Sequence, residues 1–497
     1  MSGGTMRVVV IGGGLSGLTT AYAVIREANR EGRALRLTLL EGSARLGGNI
    51  QTERNDGFVI DTGPDAFVVT RPQALHLCEE LGLGPRLIET IPENRRVYVL
   101  RHGKLTPMPE GLVLGIPSRI RPFLRSPLLS LSGKLRALRE VVERSVEAGG
   151  DISVGEFLER RFGREMVDVI LEPLLGGIYA GDAYRLSLRS TFPDWFKDRG
   201  RGASLLRSAR AEQKAKGKKK SPRSPFRSLV SGMGELIDAL AERIGSGVVR
   251  CQSPVKAVLR DGRSFRVLLA DGELAADHVV VALPARIASS VLAPCDGELA
   301  TELSTIEYAS TATVCFAYER AQIAQPLDAS GFLVPKSEGR RITAATFISS
   351  KWPGRAPSGH VLLRAFVGGS HDEATPALED GELLALVRGE LEGLLGIKGT
   401  PRFGKVFRYL KASPQPLVGH ADRVARVRSR IEALPGLYVV GNAYDGVGIP
   451  DCVRLAEQTA AQIRTQRGGG GRASTPPPRS STPPPAPPAS VDPREPA

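Results

Sequence analysis

Arg7-Val8-Val9-Val10-Ile11 runs without pause into Gly12-Gly13-Gly14-Leu15-Ser16-Gly17, and the reading of this stretch decides the fold. The β-branched apolar run has the composition of a buried strand. The glycines match G-x-G-x-x-G, and Leu18 to Arg30 continues with helical character. A second apolar run, Leu35 to Leu40, ends on Glu41. Strand, glycine turn, helix, strand and acid is the order of parts a dinucleotide needs. Gly12 permits the tight turn, Gly14 lets backbone approach a pyrophosphate, and Gly17 lets helix and strand pack closely. The phosphates then face the amide-rich, positive end of the helix. Glu41 stands where a carboxylate accepts the hydrogen bonds of ribose hydroxyls.

A chain of 497 residues with 41% hydrophobic residues is enough for two or three domains around sizeable cores. Five scattered cysteines, with no C-x-x-C, argue against a disulfide framework, a zinc site or a redox dithiol, and suit a reducing cytoplasm. Met1 to Thr5 offers no secretory signal, and no apolar run approaches the ~20 residues of a membrane span. The expectation is therefore a cytoplasmic protein. The net charge of +14 is partly local: Lys214, Lys216, Lys218, Lys219 and Lys220 fall within the basic stretch 199–227. Such a run reads first as a solvated loop, and second as a lure for anionic lipid or an acidic metabolite. With aromatics at 5% and no recognition motif, nucleic acid is not an expected partner.

Further along, Ile50 to Ile60 reads as a hairpin ending in the turn cluster Asp61-Thr62-Gly63-Pro64-Asp65. Pro72 to Leu83 is predicted helical, and residues 94–105 form a second hairpin. Pro107 to Leu131 mixes Leu and Pro with Arg119, Arg121 and Arg125. Two readings stay open: a basic amphipathic surface lying on a membrane, or short helices packed over a pocket. Helices are predicted over 133–148 and Val154 to Phe162, the latter capped by Ser153. Met166 to Leu175 continues as helix and is expected to break at Gly176-Gly177. A helix through Ile244 and strands at 248–251, 255–259, 265–269 and 278–283 would rebuild the nucleotide sheet. Strands at 306–318, 331–335, 344–347 and 361–367, with a helix over 379–394, suggest a second, mixed sheet. Leu437 to Gly441, a Gly-rich loop Asn442 to Asp451 and a helix Cys452 to Gln466 repeat the anion-favouring design. From Gly468 on, Gly, Pro and Ser dominate, and a disordered tail is expected.

No G-x-S-x-G elbow and no H-E-x-x-H occur, and the six histidines show no metal spacing. There is also no second G-x-G-x-x-G, hence no evident nicotinamide site.

Taken together, Gly12 to Leu18, Glu41 with Arg45-Leu46-Gly47-Gly48, Thr62-Gly63-Pro64, Gly177-Ile178-Tyr179-Ala180-Gly181-Asp182, Gly331 to Pro335, Lys351-Trp352-Pro353 and Gly441 to Ile449 carry a resemblance. The chain resembles the oxygen-dependent protoporphyrinogen/coproporphyrinogen oxidases, members of the amine-oxidase-like flavoproteins, from Arg7 to about Arg467. The resemblance implies an α/β (α+β) fold: a Rossmann-like FAD-binding domain (1–85, 228–290 and 402–467), a mixed-sheet substrate domain (86–96, 186–227 and 291–401) and a helical insertion (97–185), with the tail at 468–497. It implies FAD as cofactor, held by Gly12, Gly13, Gly14, Leu15, Ser16, Gly17, Glu41, Gly42, Arg45, Gly48, Asn49, Gly63, Pro64, Asp65, Ala66, the main chain of Val255, Asn442, Val447, Gly448 and Ile449. It implies a substrate site in which Arg96 faces a propionate, Leu333 and Phe366 flank the ring, and Gly177 and Ala180 present backbone to it. Chemistry is flavin-borne, with no catalytic side chain. The implied reaction is the six-electron oxidation of protoporphyrinogen IX to protoporphyrin IX in haem synthesis, with oxygen as acceptor and another, quinone-like electron acceptor left open. Coproporphyrinogen III is the alternative substrate. Peripheral contact with the inner face of the cell membrane and a homodimer stay open, as does a different flavin oxidase or desaturase.

Overall fold

The structure is a computed structural model that describes residues 5–143, 149–199, 204–216 and 224–466. The basic run 217–223 and the tail 467–497, where a solvated loop and a disordered tail are expected, lie outside them.

Two sheets organise the molecule. The first is parallel, in the order Val249–Arg250, Leu35–Leu40, Met6–Ile11, His278–Val281, Leu437–Val439. Val8 and Val10 point to one side of it and Val9 and Ile11 to the other, and all four are buried. A strand buried on both faces is what the unbroken Val-Val-Val-Ile run foretells. One side packs under helices Leu15–Arg30, Gly234–Ile244 and Ile449–Thr465. The other carries the meander 257–276 and helices Ala285–Leu292, Gly297–Ser304 and His420–Glu432.

The second sheet has seven strands, in the order Phe403–Pro414, Tyr308–Glu319, His360–Gly368, Ile342–Phe347, Gly331–Leu333, Val97–Arg101, Lys104–Pro107. Only the Gly331–Leu333/Val97–Arg101 pair is parallel. One face is sealed by helix Asp380–Leu395 through Leu383, Val387 and Leu391. The other looks toward the nucleotide sheet and a helical layer built from residues 120–142, 154–179, 188–199 and 204–216.

The expected boundaries need three corrections. Phe403–Pro414 belongs to the seven-stranded sheet, not to the nucleotide domain. Residues 97–107 supply two strands of that sheet rather than opening the helical insertion. Leu186, Leu188, Leu205 and Leu206 pack into the helical layer, not into the substrate sheet. The break expected at Gly176-Gly177 is also displaced. Helix Glu172–Tyr179 runs through both glycines and stops at Ala180, whose φ of 51° is left-handed. A π-turn, Val167–Leu171, precedes that helix. The helical reading over 133–148 shortens to Leu131–Leu138 and a 3-10 turn, with 144–148 outside the described residues.

Among the described residues, no helix is long and apolar enough to cross a membrane, and no group of His, Cys, Asp or Glu could hold a metal ion. The five cysteines are free.

Candidate active site

The first glycine turn is shaped by contact. A Cβ on Gly17 would lie 1.9 Å from the Gly12 carbonyl oxygen, and one on Gly12, at φ +107°, would lie 2.5 Å from that of Ala282. Neither site admits a side chain. Gly14 differs: its neighbour is the Cα of Gly48, 3.9 Å from where a Cβ would stand. The Arg45–Gly48 turn lies alongside the glycine loop, since the Gly47 amide donates to the Gly13 carbonyl at 2.8 Å. Arg45 braces that turn by donating to the Gly48 carbonyl at 3.0 Å. Glu41 accepts from the Gly13 amide at 2.7 Å and the Ser43 amide at 2.8 Å, one on each oxygen. A carboxylate has about four acceptor positions, so two remain for hydroxyls. The segment bearing Val255 is drawn to the same spot by Ser253, whose amide donates to the Glu41 carbonyl at 2.8 Å. Gly42 touches Pro254. Gly42, Arg45, Gly48 and Asn49 are exposed, forming an open groove over the buried Leu15–Gly17 turn.

The closing loop arrives beside it. Gly448, in extended conformation, caps helix Ile449–Thr465, and Ile449 packs in the same core as Leu15. Helices Leu15–Arg30 and Ile449–Thr465 pack against each other, and burial, partly offset by Ser16, pushes the Cys452 thiol up to about 11. Asn442, Val447 and Gly448 line the loop half-buried. Asp451, in the helix's first turn, takes the guanidinium of Arg71 at 2.5 Å.

Between these turns stands the third, residues 61–66. A Cβ on Gly63 would fall 2.2 Å from the Asn49 carbonyl oxygen. Arg364, reaching from the seven-stranded sheet, donates to the carbonyls of Asp61 (2.6 Å) and Gly63 (2.8 Å). Asp65 takes Lys351 at 2.8 Å, the Trp352 indole at 3.0 Å and Arg364 at 3.4 Å. Burial opposes ionisation of Asp65, but Lys351 and Arg364 outweigh it and hold the carboxyl far below the usual range. Tyr409 closes the turn from the other side, 2.6 Å from the Thr62 hydroxyl. Pro64 is exposed and Ala66 half-buried beside it.

Across the sheet's inner face, Val99, Leu333, Ala344, Phe366, Thr313 and Phe407 stand opposite one another on consecutive strands. Partners in register share a face, so Leu333 and Phe366 are neighbours in one apolar row. The adjacent row contains Gly331, Thr346, Arg364 and Cys315 and leads to the 61–66 turn. Helix Glu172–Tyr179 lies over this face. A Cβ on Gly176 or Gly177 would meet nothing within 4 Å. The Ala180 carbonyl accepts from the Ser370 amide at 2.9 Å, and that of Tyr179 from Gln415 at 2.9 Å. Burial raises the Tyr179 phenol to about 12, within electrostatic reach of Arg71 and Asp451.

Arg96 departs from the expectation. Its side chain is exposed and pairs with Asp328 at 3.3 Å, where Tyr98 also donates at 2.8 Å. Tyr98 packs on the core under helix Asp380–Leu395. Val97 and Val99 point inward, so alternation turns Arg96 and Tyr98 away from Leu333 and Phe366. Arg95, in the turn before the strand, bonds Thr90 at 3.1 Å.

A family model described as flavin containing amine oxidoreductase matches residues 15–464. The chain is 35% identical over 458 residues to a coproporphyrinogen III oxidase of Bacillus subtilis, covering 91% of this chain and 97% of that one. It is 31% identical over 482 residues to a chloroplastic protoporphyrinogen oxidase of Oryza sativa, covering 92% and 87%. The chain belongs to the porphyrinogen-oxidising flavin amine oxidoreductases. A solved structure from Exiguobacterium sp. 255-15, provisionally named a protoporphyrinogen oxidase, superimposes with a TM-score of 0.83 at 34% identity, covering 93% and 99%. A UDP-galactopyranose mutase shares the fold alone, at 16% identity and a TM-score of 0.70.

FAD is the cofactor of this flavin amine oxidoreductase, and the residues present fit it. The cradle pairs backbone with backbone at Gly14 and Gly48, keeps two acceptor positions on Glu41, and sets two helix starts side by side. Arg71, Arg364 and Tyr409 join the site unannounced by sequence, and Tyr179 stands in the sequence reading only within its motif, with no role. Arg71 follows Thr70 at a helix entry and carries no motif. Arg364 sits in an apolar strand, and a lone charge inside such a run is the one signal that could have marked it.

Proposed function

We propose that the chain oxidises coproporphyrinogen III to coproporphyrin III, with molecular oxygen as the final acceptor. The observation that carries this reading is the apolar row Leu333–Ala344–Phe366 lying beneath a helix whose Gly176 and Gly177 leave open space. A slot with a flat greasy floor and a bare-backbone roof suits a macrocycle wider than any amine side chain. The choice of the four-propionate substrate, ahead of protoporphyrinogen IX, draws on the relatives. Those named coproporphyrinogen III oxidase in Bacillus subtilis, Staphylococcus aureus and Propionibacterium freudenreichii are 35%, 31% and 34% identical.

FAD, when bound, supplies the acceptor of a hydride and passes electrons to oxygen. The chain's own residues hold and orient. Leu333, Phe366 and the main chain at Gly177 and Ala180 keep water from the ring and fix its plane. Arg71, half-exposed against Asp451, takes over the propionate role first given to Arg96. The row Leu333, Ala344, Phe366 bears no titratable group, consistent with a reaction in which side chains move no proton at the ring. The amide-rich start of helix Ile449–Thr465 favours negative charge before it.

The exposed Leu114, Leu124, Leu131 and Leu135, interleaved in sequence with Arg119, Arg121, Arg125 and Lys134, support peripheral contact with an anionic membrane.

Aerobic incubation with each porphyrinogen, followed by porphyrin fluorescence, tests the proposal. A higher kcat/KM for coproporphyrinogen III is expected. A preference for protoporphyrinogen IX reverses the substrate choice, and no turnover on either rejects the reading.

A further inference from the structure

Away from the flavin groove, four ionisable side chains meet at the far end of the slot. Lys336, in the turn after strand Gly331–Leu333, places its ammonium 2.5 Å from Glu172. His371, just past strand His360–Gly368, accepts from the same ammonium. Its Nε2 lies 3.7 Å from Glu172 and 3.6 Å from Asp182. The arrangement is segregated. Both acids belong to the segment of helix Glu172–Tyr179, one in its first turn and one just beyond its end; Lys336 and His371 belong to the sheet.

This is not an ordinary surface pair. The Glu172 side chain is 8% exposed, and an enclosed carboxylate without its cation is strongly destabilising where it stands. The helix needs the hold. It follows a π-turn rather than a regular turn, and Gly176 and Gly177 contribute no packing side chain. At its other end the Ser370 and Gln415 hydrogen bonds fasten Ala180 and Tyr179. The helix is thus fastened at both ends, with two positions between that carry no side chain.

We infer that the Lys336–Glu172 pair, with His371 and Asp182, is a positioning latch that sets the height of the slot. Lys336 is a positioning residue that acts through helix Glu172–Tyr179 on whatever lies over Leu333 and Phe366. The inference rests on the proposed function for what fills the slot, but not for the latch itself.

The test uses the FAD-loaded full chain with Lys336→Met, Lys336→Arg and the swapped pair Glu172→Lys/Lys336→Glu. Hydrogen exchange of the amides at 175–180 is expected to accelerate in Lys336→Met and to return toward wild type in Lys336→Arg, with flavin content per chain unchanged. The KM for the preferred porphyrinogen should rise roughly ten-fold in Lys336→Met while kcat changes less. Recovery of slow exchange in the swapped pair supports a charge latch. Wild-type exchange in Lys336→Met overturns it. So does fast exchange in both Lys336→Met and Lys336→Arg. The exchange measurement decides the latch whether or not either porphyrinogen is oxidised, so its failure is distinguishable from failure of the functional reading.

Discussion

Leu15 and Ile449, the first residues of two helices far apart in sequence, pack into one core where those helices lie against each other. Because both helix starts carry unpaired amides, their contact makes one anion-favouring surface out of two. The groove walled by Gly14 and Gly48 opens beside it.

That geometry leaves no room at Gly17. A methyl group there would stand 1.9 Å from the Gly12 carbonyl oxygen, which is backbone and cannot swing aside. Gly17→Ala is expected to lose bound flavin and about 1–3 kcal/mol of stability. Visible flavin absorbance per purified chain, with denaturant unfolding, checks both.

Asp65 is the counter-ion of Lys351 and Arg364, and its side chain is 14% exposed. Asp65→Asn leaves two enclosed cations facing each other. A loss of about 3–5 kcal/mol is expected, as for other broken buried pairs. A loss under 1 kcal/mol in urea unfolding would mean that the turn is held by the carbonyl bonds of Arg364 alone.

The two arginines differ in their surroundings: Arg71 bonds Asp451 at the closing helix, and Arg96 bonds Asp328 on the far side of the sheet from Leu333. Arg71→Ala should raise KM with little change in kcat, since a carboxylate clamp binds ground and transition states alike. Arg96→Ala should leave KM unchanged and stability within about 0.5 kcal/mol, as for exposed pairs. Steady-state kinetics on the two variants side by side settle it; a raised KM in Arg96→Ala would place that side chain in the slot after all.

His420 gives a pH signature. Burial, then Arg423, lower its pKa to about 4, against a hydrogen bond to the backbone of Ala443. The folded state therefore refuses a proton that the unfolded chain accepts below about 6.5. Stability from this group is complete above that pH and is lost as pH falls toward 4, by about 3 kcal/mol. His420→Asn should flatten that part of the stability–pH curve.

How much of this could be read beforehand follows the kind of signal. The nucleotide half was legible because Val8 to Ile11 and Gly12 to Gly17 encode a strand and turn through local composition alone. Leu333 and Phe366 were placed correctly in strands, but their adjacency depends on register between segments far apart in sequence. Phe403–Pro414 was included in the nucleotide domain, since Phe403, Lys405, Phe407 and Tyr409 alternate with Gly404, Val406, Arg408 and Leu410 and show no clean polar–apolar period to mark a strand or its neighbour. Arg96 turns away from Leu333 and Phe366 for a one-residue reason: period two puts Arg96 and Val97 on opposite faces, and nothing nearby in sequence fixes which is inner. Gly176-Gly177 looked like a break, because the reward for a bare helix face lies in the space it leaves rather than in the helix.

The outer position of strand Leu437–Val439 in the parallel sheet has a consequence for biosynthesis. Chains emerge from the ribosome amino end first. The motif at Gly12 is therefore translated early, yet its partner wall arrives only with residues 437–465, after the whole seven-stranded sheet. A nascent polypeptide can shape the first turn but cannot clasp its prosthetic group until the closing strand and helix have been made. Cofactor loading is in this way tied to completion of the fold.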